Sequence, residues 1–240
     1  MGQIDFHTHI LPGVDDGSKS VSMSVEMLKM LKLQGVDTVI ATPHFYPSLT
    51  DPEAFLSKRG LALDALTDAA RKQECELPKL CVGAEVAYFD GMSSSKSVSK
   101  LCIEGTSLML LEMPFGAWGK SELRELSGLI EGMGITPIIA HVERYIKYQK
   151  KEVLSEIVSM GAILQCNAEA FLRLKTRRAA LKLLRDGCVI GSDCHDLDSR
   201  SPNIEGATAL IERKLGRESL VELSARGTEL ISGAKTLVLA

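Results

Sequence analysis

Four times along the chain a helix-like segment ends on glycine and passes directly into an apolar or β-branched run: MLKLQG before VDTVIAT, EGMG before ITPIIAH, VSMG before AILQCN, and LLRDG before CVIGSD. Glycine just past a helix accepts the left-handed backbone that ends it. Short continuous apolar runs suit strands buried on both faces of a parallel sheet. The first helix carries the matching stripe, with Met23, Met27, Leu28 and Leu31 on one face and Glu26, Lys29 and Lys32 directed elsewhere. Seven runs read as strands, at residues 4–7, 36–42, 80–86, 107–113, 135–141, 162–167 and 188–193. Alternating with helices, they predict a closed or nearly closed α/β barrel. GMSSSKSVSK, residues 91–100, is the nearest approach to a linker and reads as a surface loop with a short helix start. The expectation is one domain over residues 1–240.

A chain of 240 residues buries roughly 70–75% of its unfolded surface on folding, so it needs no disulfide or structural metal. Any metal is there for chemistry. Twenty-eight basic and 31 acidic residues leave a net charge of −3, and no Lys/Arg run suggests a nucleic-acid surface. The N-terminus MGQIDFHTHILPG has no basic and apolar leader pattern, and no window approaches a membrane span. A cytoplasmic protein with no membrane insertion is expected. The six cysteines never pair as CxxC, and several lie in apolar runs, so they read as small buried hydrophobes in a reducing compartment.

All five histidines, at 7, 9, 44, 141 and 195, lie at or just past the C-terminal end of a predicted strand. In a parallel barrel those ends share one face, where the βα loops assemble active sites. His7 and His9 form an HxH pair whose period-two geometry lets both imidazoles reach one ion. The GSDCH segment supplies a second such pair, Asp193 and His195. Glu85 and Glu112 interrupt apolar runs, where a carboxylate is costly to bury unless a cation or arginine neutralises it. Asp16, in the turn PGVDDG, reads in isolation as a turn residue or helix N-cap, and Asp15 qualifies equally. A lone histidine is more often a hydrogen-bonded core or surface residue; so many ligand types at corresponding strand ends argue for a shared site.

Imidazoles and carboxylates without thiolates favour manganese, iron or zinc over a structural thiolate site. The ligands are too many for one ion, and two or three divalent ions sharing a bridging carboxylate fit the count. Such clusters attack phosphoester bonds in line. Arg144 in HVERY and Arg200 in HDLDSRSP fall near the rim of that face, and the guanidinium fork suits phosphate oxygens. Their bland reading is a salt bridge to Glu143 or Asp198.

The segments DFHTHILPGVDDG, ATPHF, GAEV, LLEMP, ITPIIAHVERY and GSDCHDLDSRSP together resemble the PHP (polymerase and histidinol phosphatase) superfamily. Within it they are most similar to bacterial tyrosine-protein phosphatases of the CpsB/CapC type, over residues 4 to about 203. The resemblance implies a distorted (β/α)7 TIM-like barrel of the PHP type and a metal-dependent phosphatase that hydrolyses phosphotyrosine by metal-activated hydroxide. It implies manganese as the expected metal and, as partner, a phosphotyrosine protein such as a capsule or exopolysaccharide tyrosine kinase. It also implies a partition of ligands: His7, His9, Glu85 and Asp193 on one ion; Glu85, Glu112 and His141 on a second; Asp16, His44 and His195 on a third. Arg144 and Arg200 match positions that bind substrate phosphate. Ser18 departs from the proline that often follows the DDG turn, and the helix text after it, SKSVSMSVEM, is altered, which puts any partner contact there in doubt.

Other functions fit parts of the pattern. Cys194 and Arg200 satisfy the C-x5-R spacing of cysteine-based tyrosine phosphatases, but HDLDS has two aspartates and no glycine, against the inward N–H groups and positive field that a thiolate loop needs. Amidohydrolases also begin with HxH but commonly carry a bridging lysine where Glu85 stands. Small-molecule phosphatase activity toward a histidinol phosphate-like ester, nuclease activity, and a noncatalytic metal-binding module complete the alternatives.

Overall fold

The computed structural model describes residues 2–239; Met1 and Ala240, the ends of the expected 1–240 domain, lie outside the described residues. Among the described residues there are nine strands: β1 (Gln3–Thr8), β2 (Val36–Ala41), β3 (His44–Phe45), β4 (Lys79–Val82), β5 (Glu85–Ala87), β6 (Leu108–Glu112), β7 (Thr136–Ile139), β8 (Ile163–Asn167) and β9 (Val189–Gly191). The helices are α1 (Val21–Leu33), α2 (Pro52–Ala70), α3 (Lys120–Ser127), α4 (Lys151–Ser159), α5 (Ala168–Leu172), α6 (Leu174–Arg185), α7 (Ile204–Leu215) and α8 (Arg217–Leu230).

Every pairing between these strands is parallel, in the orders β1-β2-β4 and β3-β5-β6-β7-β8-β9. The two sheets join because β2 continues into β3 across Thr42 and Pro43, while β4 continues into β5 across Gly83 and Ala84. Gly83 N–H still donates to Ala41 O at 2.9 Å and Glu85 N–H to Pro43 O at 3.0 Å, so each broken pair acts as one bent stave. The predicted run 80–86 is therefore two strands of one stave. The ring closes between β1 and β9, where Asp193 N–H donates to His7 O at 2.8 Å and His9 N–H to Cys194 O at 2.9 Å. Seven staves with helices between them make the closed barrel that the seven apolar runs predict, in the distorted (β/α)7 form that the resemblance implies.

Gly35, Gly134, Gly161 and Gly187, the glycines of the four repeats, all have positive φ. The stripe on α1 is also as expected: Met27, Leu28 and Leu31 are buried and Met23 is partly so. The cap of that helix is not Asp15 or Asp16 but Ser20, whose hydroxyl accepts from Met23 N–H at 3.2 Å. The two aspartates turn inward, toward the histidines. Residues 91–100 form two single-turn helices, Met92–Ser94 and Val98–Leu101.

A large apolar core lies between strands and helices, and a smaller cluster gathers Phe6, Ile40, Cys81, Leu110, Ile138 and Val189 from six of the staves. Leu230 and Ile231, at the end of α8, pack on the smaller cluster. That helix lies close on β1: a Cβ at Gly227 would sit 3.1 Å from Ile4 and 3.2 Å from Phe6. Five of the six cysteines are buried, whereas Cys75 is exposed in the turn after α2, contrary to the expectation for all six. No helix among the described residues is long and apolar enough to cross a membrane.

Candidate metal centre

The barrel delivers the predicted residues to one place. His7 is on β1 with His9 just past it, His44 opens β3, Glu85 opens β5, Glu112 ends β6, His141 follows β7, and Asp193 and His195 follow β9. Asp16 comes from the loop between β1 and α1. His141 (φ 34°) and Asp193 (φ 55°) are the two non-glycine residues with positive φ among those described. Such a backbone costs on the order of 1–3 kcal/mol and persists where surrounding structure enforces it, often at functional sites.

Among the described residues, three groups have their ligand atoms mutually within 4.8 Å, namely His9, Asp16, His44 and His195; His7, His9 and Glu85; and His44, Glu85 and Glu112, while Asp193 and His141 lie outside these groups and approach them pairwise. His7 Nε2 lies 3.0 Å from His9 Nε2 and 3.1 Å from Glu85 Oε2, with Asp193 Oδ1 at 3.5 Å from the first imidazole and 3.6 Å from the second. His141 Nε2 is 2.9 Å from Glu85 Oε1 and 3.5 Å from Glu112 Oε1. Asp16 Oδ1 is 3.6 Å from His44 Nε2 and 3.4 Å from His195 Nε2. His44 turns its other nitrogen to Glu85, with Nδ1 2.9 Å from Oε2. Glu85, 1% exposed, thus touches four imidazoles.

The donor set fits divalent ions. Metal–ligand bonds of about 2.0–2.2 Å set neighbouring donors about 2.8–3.6 Å apart, which is the spacing just described. His195 Nε2 is buried without a hydrogen-bond partner, and Glu85 Oε2 and His44 Nδ1, though 2.9 Å apart, do not meet in hydrogen-bond geometry, a costly arrangement unless something else satisfies them. Four carboxylates, of Asp16, Glu85, Glu112 and Asp193, face two arginines, leaving negative charge for cations to balance.

Protonation reflects the same imbalance. Burial opposes charge on His9, but hydrogen bonds to Asp15 and Glu85 outweigh it and push the pKa up to about 10. Burial likewise opposes charge on His141, yet Glu112 and Glu85 push it up to about 9. Burial favours the neutral form of Glu85 and Asp193, but the imidazoles around them hold both below the usual carboxylate range. His195 is pushed down to about 4 by burial, His9 and Arg200.

Both arginines are at the site, held neither by Glu143 nor by Asp198. Arg144 Nη2 donates to Asp193 Oδ2 at 2.6 Å, and Arg200 Nη2 donates to Asp193 Oδ1 at 2.7 Å. Each side chain is more than a third exposed. The C-x5-R segment has no phosphate cradle: the Asp196 carboxylate already accepts the N–H groups of Asp198 and Arg200. Cys194 is fully buried, and burial raises its thiol pKa far above the ordinary value, with Asp5 adding to it.

Three contributors were not singled out from the sequence. Asp15 Oδ2 accepts from His9 Nδ1 at 2.7 Å and from His44 N–H at 2.8 Å. Gln165 Oε1 contacts His7 Nδ1 at 3.2 Å and accepts from His141 N–H at 2.7 Å. Asn167 Nδ2 donates to Asp193 Oδ2 at 2.8 Å. The available signal was polar Gln165 and Asn167 at i, i+2 inside AILQCN, the same alternation as HxH. Beside His44 and Asp16 opens a cleft of about 470 Å³, lined also by Val14, Tyr46, Leu49 and Lys58.

The family model for capsular polysaccharide synthesis, CpsB/CapC, matches residues 3–231. The tyrosine-protein phosphatase CpsB of Streptococcus pneumoniae is 30% identical over 239 residues, covering 92% of this chain and 94% of its own. A crystal structure from work on YwqE of Bacillus subtilis and CpsB of Streptococcus pneumoniae, described as metal-dependent tyrosine phosphatases, superposes with a TM-score of 0.84 at 25% identity, covering 98% of this chain and 97% of that one. The phosphotriesterase homology protein of Escherichia coli shares the fold alone, with a TM-score of 0.57 at 13% identity over 95% of this chain and 98% of that one.

Proposed function

The chain belongs to the CpsB/CapC family, and on that premise we propose how it works as a metal-dependent tyrosine-protein phosphatase: His7, His9, Asp16, His44, Glu85, Glu112, His141, Asp193 and His195 hold two or three divalent ions, and Arg144 and Arg200 grip the substrate phosphate. The carrying observation is the approach of Glu85 Oε2, at 3.1 and 3.3 Å, and of Asp193 Oδ1, at 3.5 and 3.6 Å, to the Nε2 atoms of His7 and His9, which are themselves 3.0 Å apart. Manganese suits the oxygen and imidazole donors, with iron or zinc as alternatives. When bound, the ions supply Lewis acidity toward a phosphoryl oxygen and a water whose lowered pKa makes hydroxide available near neutral pH.

The chain's own residues do the rest. Glu85 and Asp193, kept anionic by the imidazoles around them, offer negative charge to the ions. Each arginine uses one Nη2 on Asp193 and keeps other donors of its fork for a phosphate dianion. These contacts hold two half-exposed guanidiniums at the edge of the cluster, where their remaining donors are open to a phosphate dianion. Tyr46, stacked on His44 at 5.1 Å between ring centroids, and Leu49 give the adjoining cleft an apolar wall for the phenyl ring of phosphotyrosine. The substrate is a phosphotyrosine-bearing protein, with a bacterial tyrosine kinase of capsule or exopolysaccharide synthesis as the partner, encountered in the cytoplasm.

Hydrolysis of a phosphotyrosine peptide, histidinol phosphate and single-stranded DNA, measured side by side with the metal-loaded protein, tests this reading. The highest kcat/KM should fall on the peptide. A preference for histidinol phosphate or DNA would overturn the substrate assignment.

A further inference from the structure

The two histidines of the HxH pair are held from behind in the same way. One oxygen of Asp15 meets both His9 Nδ1 and the main-chain N–H of His44; one oxygen of Gln165 meets both His7 Nδ1 and the main-chain N–H of His141. A main-chain N–H can only donate, so the Gln165 atom facing His141 is the amide oxygen, and its Nε2 is left to donate to Asn167 Oδ1 at 2.9 Å. An amide oxygen can only accept, so His7 Nδ1 carries a hydrogen. The Asp15 carboxylate imposes the same on His9. In the neutral imidazoles the lone pairs of both Nε2 atoms then face each other and the cluster.

The packing leaves little room for other arrangements. A Cβ at Gly191 would lie 2.5 Å from the His7 Cβ and 2.9 Å from Gln165 Nε2. A Cβ at Gly17 would lie 2.2 Å from His9 O and 2.9 Å from Asp15 Oδ1. Gly17 N–H also donates to Asp15 Oδ1 at 2.9 Å. Glycine at each place lets the oxygen close on its imidazole. From Gln165 the chain of bonds runs through Asn167 to Asp193, another of the ligands proposed.

We infer that Asp15 and Gln165 are paired positioning residues, each using one oxygen to present a histidine of the HxH pair through Nε2 and to fix a second histidine from another strand. This rests on the metal-binding role proposed for those histidines. Of the two inward-turned aspartates of the DDG turn, the one given this role is the one with the buried side chain, 5% exposed for Asp15 against 64% for Asp16. The pair is unequal: Asp15 brings a full charge to His9, whereas Gln165 brings a neutral dipole to His7. Outer partners of metal-bound histidines typically contribute roughly 10- to 100-fold in metal affinity, and Asp15 should lie at the upper end.

The experiment uses the Zn2+-loaded protein. Long-range 15N–1H correlation spectra report which nitrogen of each imidazole is protonated, and competition with a chelator reports Zn2+ affinity. In the wild type His7 and His9 should both be protonated at Nδ1 and coordinated at Nε2. Gln165→Leu should disturb the His7 signals first and Asp15→Ala the His9 signals first, each weakening Zn2+ by about 10- to 100-fold. Gln165→Glu and Asp15→Asn keep an acceptor oxygen and should each hold Zn2+ more tightly than the matching truncation, Asp15→Asn giving up the part that the charge contributes, which keeps the test decisive if a truncated variant fails to fold. Nδ1 free of hydrogen in the wild type, unchanged affinity in both truncations, or conservative variants as defective as the truncations would each overturn the inference. Absence of Zn2+ uptake by the wild type would instead strike the metal-site reading beneath it.

Discussion

Loading the metal-free protein should expel protons in a number that the site geometry sets. His9 titrates at about 10 because Asp15 and Glu85 overcome its burial, and His141 at about 9 because Glu112 and Glu85 do the same. At pH 8 both imidazoles are still largely protonated, and they lose that charge as pH rises through 9 and 10. A cation at either imidazole needs the lone pair and displaces the proton. His195, pushed down to about 4, and the depressed carboxylates of Glu85 and Asp193 are already deprotonated and add nothing. Both histidine pKa values lie above the ordinary 6.5 or so, so protonation stabilises the metal-free fold fully below about pH 6.5 and that contribution fades as pH rises through 9 and 10. Metal affinity accordingly climbs with pH over the same window. Calorimetric titration of chelated protein with Zn2+ in two buffers of different ionisation enthalpy yields the count directly. About two protons should leave at pH 8, plus up to one from ionisation of a coordinated water, and the number should fall as pH rises through 9 and 10. His141→Ala should remove about one from the pH 8 value. Release near zero at pH 8 would refute the reasoning, since the metal would then not be competing for these imidazoles.

Other variants separate the roles. Arg144→Ala and Arg200→Ala should each lower kcat/KM for a phosphotyrosine peptide by about ten- to a hundredfold, the worth of a charge-assisted hydrogen bond of roughly 1.5–3 kcal/mol, with metal content near wild type by elemental analysis; unchanged kcat/KM in both would reduce them to props for Asp193. Glu85→Gln preserves shape but removes the charge that four imidazoles share, so metal content should fall and turnover drop by more than the roughly 100-fold expected of an outer residue; full occupancy would dismiss its bridging role. Cys194→Ala should retain most activity because the thiol is buried and held protonated, and a metal-replete but inactive variant would revive the thiolate mechanism.

The barrel was legible because strands buried on both faces read as continuous apolar runs, and each of the seven runs became a stave. The bends were not. In LCVGAEV only Gly83 hints at the interruption there, since a ladder break changes hydrogen bonding and not hydrophobicity. The position of the nine candidate ligands was legible because carboxylates and imidazoles at the ends of apolar strands are costly to bury unless a cation or a hydrogen-bond partner meets them. Asp15 and Asp16 are chemically identical neighbours, and only the turn's path sends one to His9 and the other to His44 and His195. Gln165 and Asn167 were hidden by type, because amides are weak candidates as ligands and their value lies in what stands in front of them. The arginines show the limit of local reasoning: Glu143 and Asp198 are the near carboxylates in sequence, yet Asp193 captures both guanidiniums. Glu143 instead turns to the Asn167 N–H at 3.2 Å, and burial raises its pKa.

The central claim is that bound divalent ions make this cluster a phosphatase, and it is tested most directly by metal content together with phosphotyrosine hydrolysis through one cycle of chelation and reconstitution. The account predicts two or three ions per active chain, loss of hydrolysis when they are stripped while the far-ultraviolet spectrum remains folded, and recovery in step with ions restored. Full activity in folded protein free of metal would contradict it.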